Sequence, residues 1–338
     1  MIVLDLVFLV VGLVVLVWSA DQFVMGSSRL AGLLSMPPVV IGAVVMGFGT
    51  SAPELIVSSI AAATGDRDLG VGNIVGSNVA NLSLVLGTAA FVTRMAIPRD
   101  VVKREGPLAI GAGLVFAAFV VDGEIERWEG VVLMVLLVTV VAVLIRSGRE
   151  EDVEELIGGE VSQVTMPRES VRTLVGLVGT VVGAQLVVTG ATDIADSLGV
   201  TGGFIGFSLV ALGTSLPELV TTVACARRGE TELIVGNLFG SNIFNALAVG
   251  GAMGLIGPGL VGDESLTGIG LIAMLVVSIV SFGLAARGRF VDRRSGAVMV
   301  AMYVGAMVLL GVGNDQGDDG DTGPALPSEV VVSPEWRR

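Results

Sequence analysis

Apolar residues along this chain fall into ten long runs separated by short polar stretches. The runs cover roughly 2–20, 38–63, 70–92, 107–122, 128–146, 172–190, 203–226, 233–256, 266–286 and 295–313. About 17–25 apolar residues is the length of a helix that crosses a bilayer, so each run predicts a transmembrane α-helix, the fourth being the shortest. No Lys or Arg precedes the first run and Asp5 lies within it. Residues 1–20 are therefore expected to be a span rather than a cleavable signal.

The polar residues that interrupt the runs are not scattered. The stretch 42–87 recurs at 206–251, at a constant offset of 164 residues, with 19 of 46 positions identical. The shared residues are mostly Gly, Thr, Ser, Pro, Glu and Asn, in GTSxPEL and then GNxxGSNxxN. Drift toward Leu and Val cannot produce such identities. Gly12, Leu13 and Val14 match Gly176, Leu177 and Val178, and Gly26 matches Gly190, so the duplication spans the whole half. Each half holds five spans, an odd number, which turns the second copy upside down. The expected architecture is an all-α membrane protein with ten transmembrane helices as two inverted five-helix repeats, the plan of a transporter. The first repeat is 1–146 and the second 172–313. A short acidic linker at 147–171 joins them, and 314–338 is expected to be a disordered acidic tail. Asp315, Asp318, Asp319 and Asp321 in that tail lack EF-hand spacing.

Composition agrees: 53% of residues are apolar and 15% charged, with 48 glycines; soluble domains carry about 25% charged residues. The single cysteine, Cys225, excludes an internal disulfide and a multi-thiolate metal site. Absence of histidine removes the commonest proton shuttle and transition-metal ligand. The net charge is −13 and Lys103 is the one lysine, a pattern suited to high salt. With the N-terminus outside, inner loops would hold fifteen Lys and Arg residues. The outer side would hold four: Arg67, Arg127, Arg337 and Arg338. The bias of basic residues toward the cytoplasm predicts that orientation, with both termini outside the cell membrane. No nucleic-acid partner is expected.

Glu54 and Glu218 are the carboxylates placed well inside predicted spans. A charge at the bilayer centre costs roughly 2.5–3.5 kcal/mol on insertion scales, so each requires compensation. Every Lys and Arg is placed in a loop, which leaves two readings. Either the glutamates are protonated and hydrogen-bonded, or they converge on a bound cation; the second is preferred. Pro53 and Pro217 would each free the carbonyl four residues back, at Gly49 and Gly213, and break the helix. Exposed carbonyls at membrane depth are tolerated where they line a cavity, and there they serve as hard ligands. Thr50 and Glu54 are four apart, on one helical face, and Ser51 adds a hydroxyl. Asn73, Ser77 and Asn81 form a stripe repeated by Asn237, Ser241 and Asn245. Ser77, Asn81, Ser241 and Asn245 are read as ligands. Asn73, Asn78, Asn237 and Asn242 are read as capping or interhelical hydrogen-bonding groups. The GxxxG pairs Gly72/Gly76 and Gly236/Gly240 are read as packing sites. Two carboxylates among neutral oxygens suit Ca²⁺ and Na⁺ better than Mg²⁺, which dehydrates reluctantly.

At GTSAPEL with GNIVGSNVAN, and GTSLPEL with GNLFGSNIFN, the chain resembles the cation/calcium exchanger superfamily, in its sodium/calcium exchanger branch of prokaryotic type with two α-repeats. The resemblance implies alternating access in which Na⁺ entry drives Ca²⁺ export, with no cofactor beyond the transported ions. It implies Glu54 and Glu218 as central Ca²⁺ ligands shared with Na⁺. It assigns Thr50, Ser51, Ser77, Thr214, Ser215 and Ser241 to Na⁺, with backbone oxygens near Gly47 and Ala211, and has Asn81 and Asn245 complete the centre. Potassium-dependent relatives carry Asp where Asn245 stands, so exchange is expected to be K⁺-independent. Calcium/proton exchangers usually carry Glu at the position of Gly76 and Gly240, so Ca²⁺/H⁺ antiport is the second reading. An intramembrane hydrolase is disfavoured by the lack of His and of paired membrane aspartates. A channel would not require two inverted copies of a polar site.

Overall fold

The computed structural model of the chain describes residues 2–99, 101–148, 165–197, 213–288 and 290–315. Among them the elements are almost all helical. Helix α1 is Ile2–Leu33, α2 is Pro38–Thr50 and α3 is Ala52–Thr64. Helix α4 is Arg67–Val92, α5 is Gly106–Val120, α6 is Arg127–Gly148 and α7 is Met166–Ser197. Helix α8 is Leu216–Arg228, α9 is Thr231–Ile256, α10 is Leu271–Gly288 and α11 is Arg293–Asp315.

Seven of these helices are long and apolar enough to cross a membrane, and the bent pair α2–α3 makes an eighth. Helix α5, with the π turn Val101–Glu105 before it, occupies the place of the fourth expected span. The seventh expected span, 203–226, begins outside the described residues. The linker residues 149–164 and tail residues 316–338 also lie outside them.

Two boundaries differ from the hydropathy pattern. Helix α1 continues past residue 20 to Leu33, where Asp21 and Arg29 find partners on other helices, Arg228 and Glu169, and Ser28 donates to Glu230 just before α9. Helix α7 runs from Met166 rather than 172, so the end of the acidic linker is helical.

Proline and glycine punctuation shapes the two repeats alike. The backbone leaves the helix at Ser51 (φ −84°, ψ 11°) and restarts with Pro53 in the first turn of α3. Ser215 (φ −86°, ψ 2°) and Pro217 do the same before α8. A first-turn proline loses nothing there, since its missing N–H would have had no intrahelical partner. The axis bends by 44° between α2 and α3. Both following helices stop at a left-handed glycine, Gly65 (φ 87°) and Gly229 (φ 76°), a conformation glycine adopts without penalty.

Helices α4 and α9 form the centre, with 83% and 94% of their apolar windows buried, against 33% for α1 and 28% for α7. Small residues bring the neighbours of α9 close. A Cβ on Gly47 would lie 2.7 Å from the Ser241 amide, and one on Gly42 would lie 2.7 Å from the Leu233 carbonyl. Carbons added to Gly236 and Gly240 would collide with the Val39 and Ala43 carbonyls. The packing role read for Gly236 and Gly240 is what the helices use them for.

Two short ladders link the halves. Strand β1 (Met95–Ala96) pairs antiparallel with β4 (Phe290–Val291), and β2 (Glu124–Ile125) with β3 (Gly259–Leu260). The β1–β4 ladder adjoins the beginning of the 101–120 helical segment, and the β2–β3 ladder its end. β1 and β3 occupy equivalent positions, 164 residues apart, yet they lie at opposite ends of that segment.

Candidate cation-binding site

The two helix breaks meet the two central helices, and the residues there are buried. Glu54, Ser51, Thr50, Ser77, Asn81, Glu218, Ser241 and Asn245 are each 0% exposed; Ser215 and Thr214 are nearly so. Most of the side-chain contacts among these residues run between halves. Ser51 Oγ donates to Glu218 Oε1 at 2.9 Å, and Ser241 Oγ approaches the same oxygen at 3.5 Å. Ser241 Oγ also donates to the Gly47 carbonyl at 3.1 Å, an oxygen that accepts the Ser51 amide as well. Ser215 Oγ lies 3.4 Å from Ser77 Oγ. Thr50 Oγ1 reaches Asn237 Oδ1 at 3.3 Å, and the equivalent Thr214 Oγ1 reaches Asn73 Oδ1 at 3.1 Å. Contacts that reciprocate in this way mark a two-fold relation between the repeats.

The outer asparagines behave as hydrogen-bonding groups. Asn73 Nδ2 donates to Ser58 Oγ (3.0 Å) and to the Glu54 carbonyl (3.3 Å). Asn242 Nδ2 donates to the Asn78 carbonyl (3.1 Å), and Asn242 Oδ1 accepts from Asn81 Nδ2 (3.0 Å).

Beside these bonds, one set of oxygens stands out. Glu54 Oε1 and Oε2, Glu218 Oε2, Asn81 Oδ1 and Asn245 Oδ1 are buried with no hydrogen-bond partner. Buried polar atoms are nearly always paired, so a group of unpaired acceptors calls for a donor or a cation. The other two carboxylates that are 0% exposed, Glu105 and Glu169, have arginine. Glu105 sits 2.7 Å from Arg104, and Glu169 lies 3.4 Å from Arg29 and 3.1 Å from Arg172. Glu54 and Glu218 have none among the described ion pairs. These five atoms are oxygens, the donor type preferred by hard cations such as Ca²⁺ and Na⁺. No group of three or more Asp, Glu, His or Cys occurs among the described residues, so neutral oxygens must complete any coordination shell.

Three sequence expectations change. Thr50 ends α2 and Glu54 lies in the first turn of α3, so they flank a break instead of sharing one helical face. Many arginines, including Arg29, Arg146, Arg172 and Arg228, sit in helical turns rather than loops. Glu54 and Glu218 are not the only fully buried carboxylates, since Glu105 and Glu169 join them. Ala211 lies outside the described residues.

Sequence reading did not single out Ser58 and Thr222, buried hydroxyls equivalent by the repeat. It also missed the π turns Asn81–Val85 and Asn245–Val249, each of which begins at a candidate ligand. Such turns occur often at functional sites.

A family model described as sodium/calcium exchanger protein matches the chain twice, over residues 4–146 and 170–312. The chain is 35% identical over 313 residues to the putative antiporter CaxA of Alkalimonas amylolytica, covering 90% of this chain and 98% of that protein. It is 30% identical to the sodium/calcium exchanger MaX1 of Methanosarcina acetivorans, covering 92% of this chain and 99% of that one. Among solved structures, the sodium-calcium exchanger NCX_Mj soaked with Na⁺ and Sr²⁺ matches with a TM-score of 0.81 and 30% identity. That match covers 91% of this chain and 99% of the other.

Proposed function

The chain belongs to the sodium/calcium exchanger protein family, a family of transporters rather than enzymes, and from that premise we propose that it is a secondary antiporter exchanging Na⁺ for Ca²⁺ by alternating access. In this reading it extrudes Ca²⁺ at the expense of the Na⁺ gradient and does not require K⁺. The observation that carries the proposal is the pair of fully buried, arginine-free glutamates with unpaired oxygens, set among buried hydroxyl and amide oxygens. Two carboxylates balance one Ca²⁺, and the surrounding neutral oxygens suit Na⁺.

Each residue takes a role in this reading. Glu54 and Glu218 hold Ca²⁺ and share Na⁺. Asn81 and Asn245 supply side-chain oxygens at the centre. Thr50, Ser51, Ser77, Thr214, Ser215 and Ser241, with backbone oxygens near Gly47 and Ala211, supply oxygen ligands for Na⁺. The helix breaks suit the task, because carbonyls at the end of a half-helix favour cations. Ten spans in two inverted repeats frame the site; the two ladders at opposite ends of 101–120 support the inversion. The excess of Lys and Arg in alternate loops supports both termini lying outside.

The test is radioactive Ca²⁺ uptake into proteoliposomes with an imposed Na⁺ or H⁺ gradient. An outward Na⁺ gradient should drive uptake. Equal uptake driven by a pH gradient with Na⁺ absent would overturn Na⁺ coupling in favour of Ca²⁺/H⁺ antiport.

A further inference from the structure

The repeat relates most of the buried polar groups in the centre to a polar partner 164 residues away, and the two copies do not make the same hydrogen bonds. Asn73 Nδ2 donates to Ser58 Oγ at 3.0 Å, and Ser58 Oγ donates to the Gly70 carbonyl at 3.3 Å. The equivalent atoms, Asn237 Nδ2 and Thr222 Oγ1, are buried with no partner. The bond between Asn81 Nδ2 and Asn242 Oδ1 (3.0 Å) repeats the pattern. Its counterpart would join Asn245 Nδ2 to Asn78 Oδ1, and both of those atoms are also unpartnered. Donor and acceptor are thus left over in matching pairs, on one member of each pair of repeat-related bonds.

Chance vacancies would not fall on both ends of the same two bonds. Leaving a buried donor and acceptor unpaired costs about 1–3 kcal/mol for each group, so two complementary unpaired pairs mark bonds that another conformation can form. The repeat supplies one. In a protein whose halves are related by a two-fold, exchanging the conformations of the halves gives a second state of nearly equal energy in which formed and broken bonds change places.

We infer that Ser58 and Thr222 are positioning residues of a reciprocal switch, in which the Asn73–Ser58 and Asn81–Asn242 bonds hold the conformation seen here and the Asn237–Thr222 and Asn245–Asn78 bonds hold the opposite-facing one. The switch acts on the cation site directly. Asn73 Nδ2 also donates to the Glu54 carbonyl (3.3 Å), and Asn237 Oδ1 receives the Thr50 hydroxyl. The Asn73–Ser58 bond therefore bears directly on the first helix break. Asn245 in turn presents its Oδ1 toward a ligand most firmly once Asn78 holds its Nδ2. The two halves of the site would then be firm in alternation.

The inference rests on alternating access, and the experiment separates it from the choice of ions. Hydrogen–deuterium exchange is measured in nanodiscs without Na⁺ or Ca²⁺, comparing amides of the two helix breaks, 48–55 and 213–219. Ser58→Ala should raise exchange at one break and lower it at the other, changing their ratio by about fivefold, the equilibrium change of one net hydrogen bond. Thr222→Val should change the ratio in the opposite sense, and the double variant should return it toward the parent value. Ser58→Thr and Thr222→Ser keep the hydroxyl and should leave the ratio unchanged, and Thr222→Ala replaces Thr222→Val should the latter fail to fold. The switch is overturned if each variant loosens its own helix alone, or if both move the ratio the same way. Na⁺-driven Ca²⁺ flux in the same preparations is read separately. Normal flux without opposed shifts sinks the switch, whereas opposed shifts without flux under a Na⁺ gradient sink the ion assignment.

Discussion

Changing either central glutamate to glutamine removes a charge while keeping the shape, so the pair can be tested without disturbing the packing. Two unit charges about 4 Å apart interact by about 4 kcal/mol at an effective dielectric near 20. Glu54→Gln or Glu218→Gln should therefore lower Ca²⁺ affinity by more than about a hundredfold and abolish Ca²⁺ exchange, with the protein still inserted and folded. Near-normal exchange in both variants would put the site elsewhere. Asn245 offers the converse change, because its side chain is buried and unpartnered. Asn245→Asp should tighten cation binding at the centre and slow release, measured as a lower half-saturating Ca²⁺ with reduced maximal flux. The parent should exchange fully with K⁺ replaced by choline on both faces, since two carboxylates already balance one Ca²⁺ and leave no anion for K⁺. Loss of flux on removing K⁺ would overturn that charge argument. At this scale the glutamates were legible because a carboxylate inside an apolar run is an anomaly. Ser58 and Thr222 were not, since a hydroxyl in a helix is ordinary until its equivalent is seen to lack the same bond.

Helices in this molecule are positioned by what they lack as much as by what they bury. The stretch 39–47 lies against α9 because Gly236 and Gly240 have no side chain to hold it away, and Gly42 and Gly47 return the favour from the other face. Gly240→Val would drive a branched side chain into the Ala43 backbone, which no rotamer relieves. Overpacking of this kind costs about 1–3 kcal/mol where neighbours are flexible, and backbone is less forgiving than side chain. The expected result is a lower melting temperature in detergent and loss of Ca²⁺ binding, because Ser241 and the Gly47 carbonyl would separate. A variant with parental melting temperature and binding would show that the close approach is not needed. The helix breaks were readable from Pro53 and Pro217, as proline has a definite steric consequence. The π turns at Asn81 and Asn245 were not, because one extra residue in a helical turn is set by tertiary packing and leaves no mark on hydrophobic periodicity. Likewise the length of α1 beyond residue 20 depends on partners such as Glu169 and Arg228 that are distant in sequence.

The orientation of the whole molecule follows from arithmetic on its basic residues together with the duplication. The proposed five spans per repeat, an odd number, would make the copies face opposite ways, so that the motif of one half approaches the site from the side the other does not. The ladders β1–β4 and β2–β3, at opposite ends of residues 101–120, are what that inversion would look like in the polar loops. Which end is cytoplasmic is then set by cations, because positively charged loops resist translocation while acidic ones contribute little. In the proposed ten-span arrangement, fifteen Lys and Arg residues lie in the loops or adjoining helix ends of one side and four on the other. Reversing the molecule would require translocating the larger group, including the four basic residues between 94 and 104 and the four between 287 and 294. The acidic linker and tail, which dominate the net charge of −13, do not counter this. Both termini should therefore lie outside. A C-terminal alkaline phosphatase fusion should be active and a C-terminal green fluorescent protein fusion dark, while a fluorescent protein inserted in the linker near residue 157 should be bright. A bright C-terminal fusion with a dark linker insertion would reverse the topology and, with it, the direction of Ca²⁺ movement argued from the Na⁺ gradient.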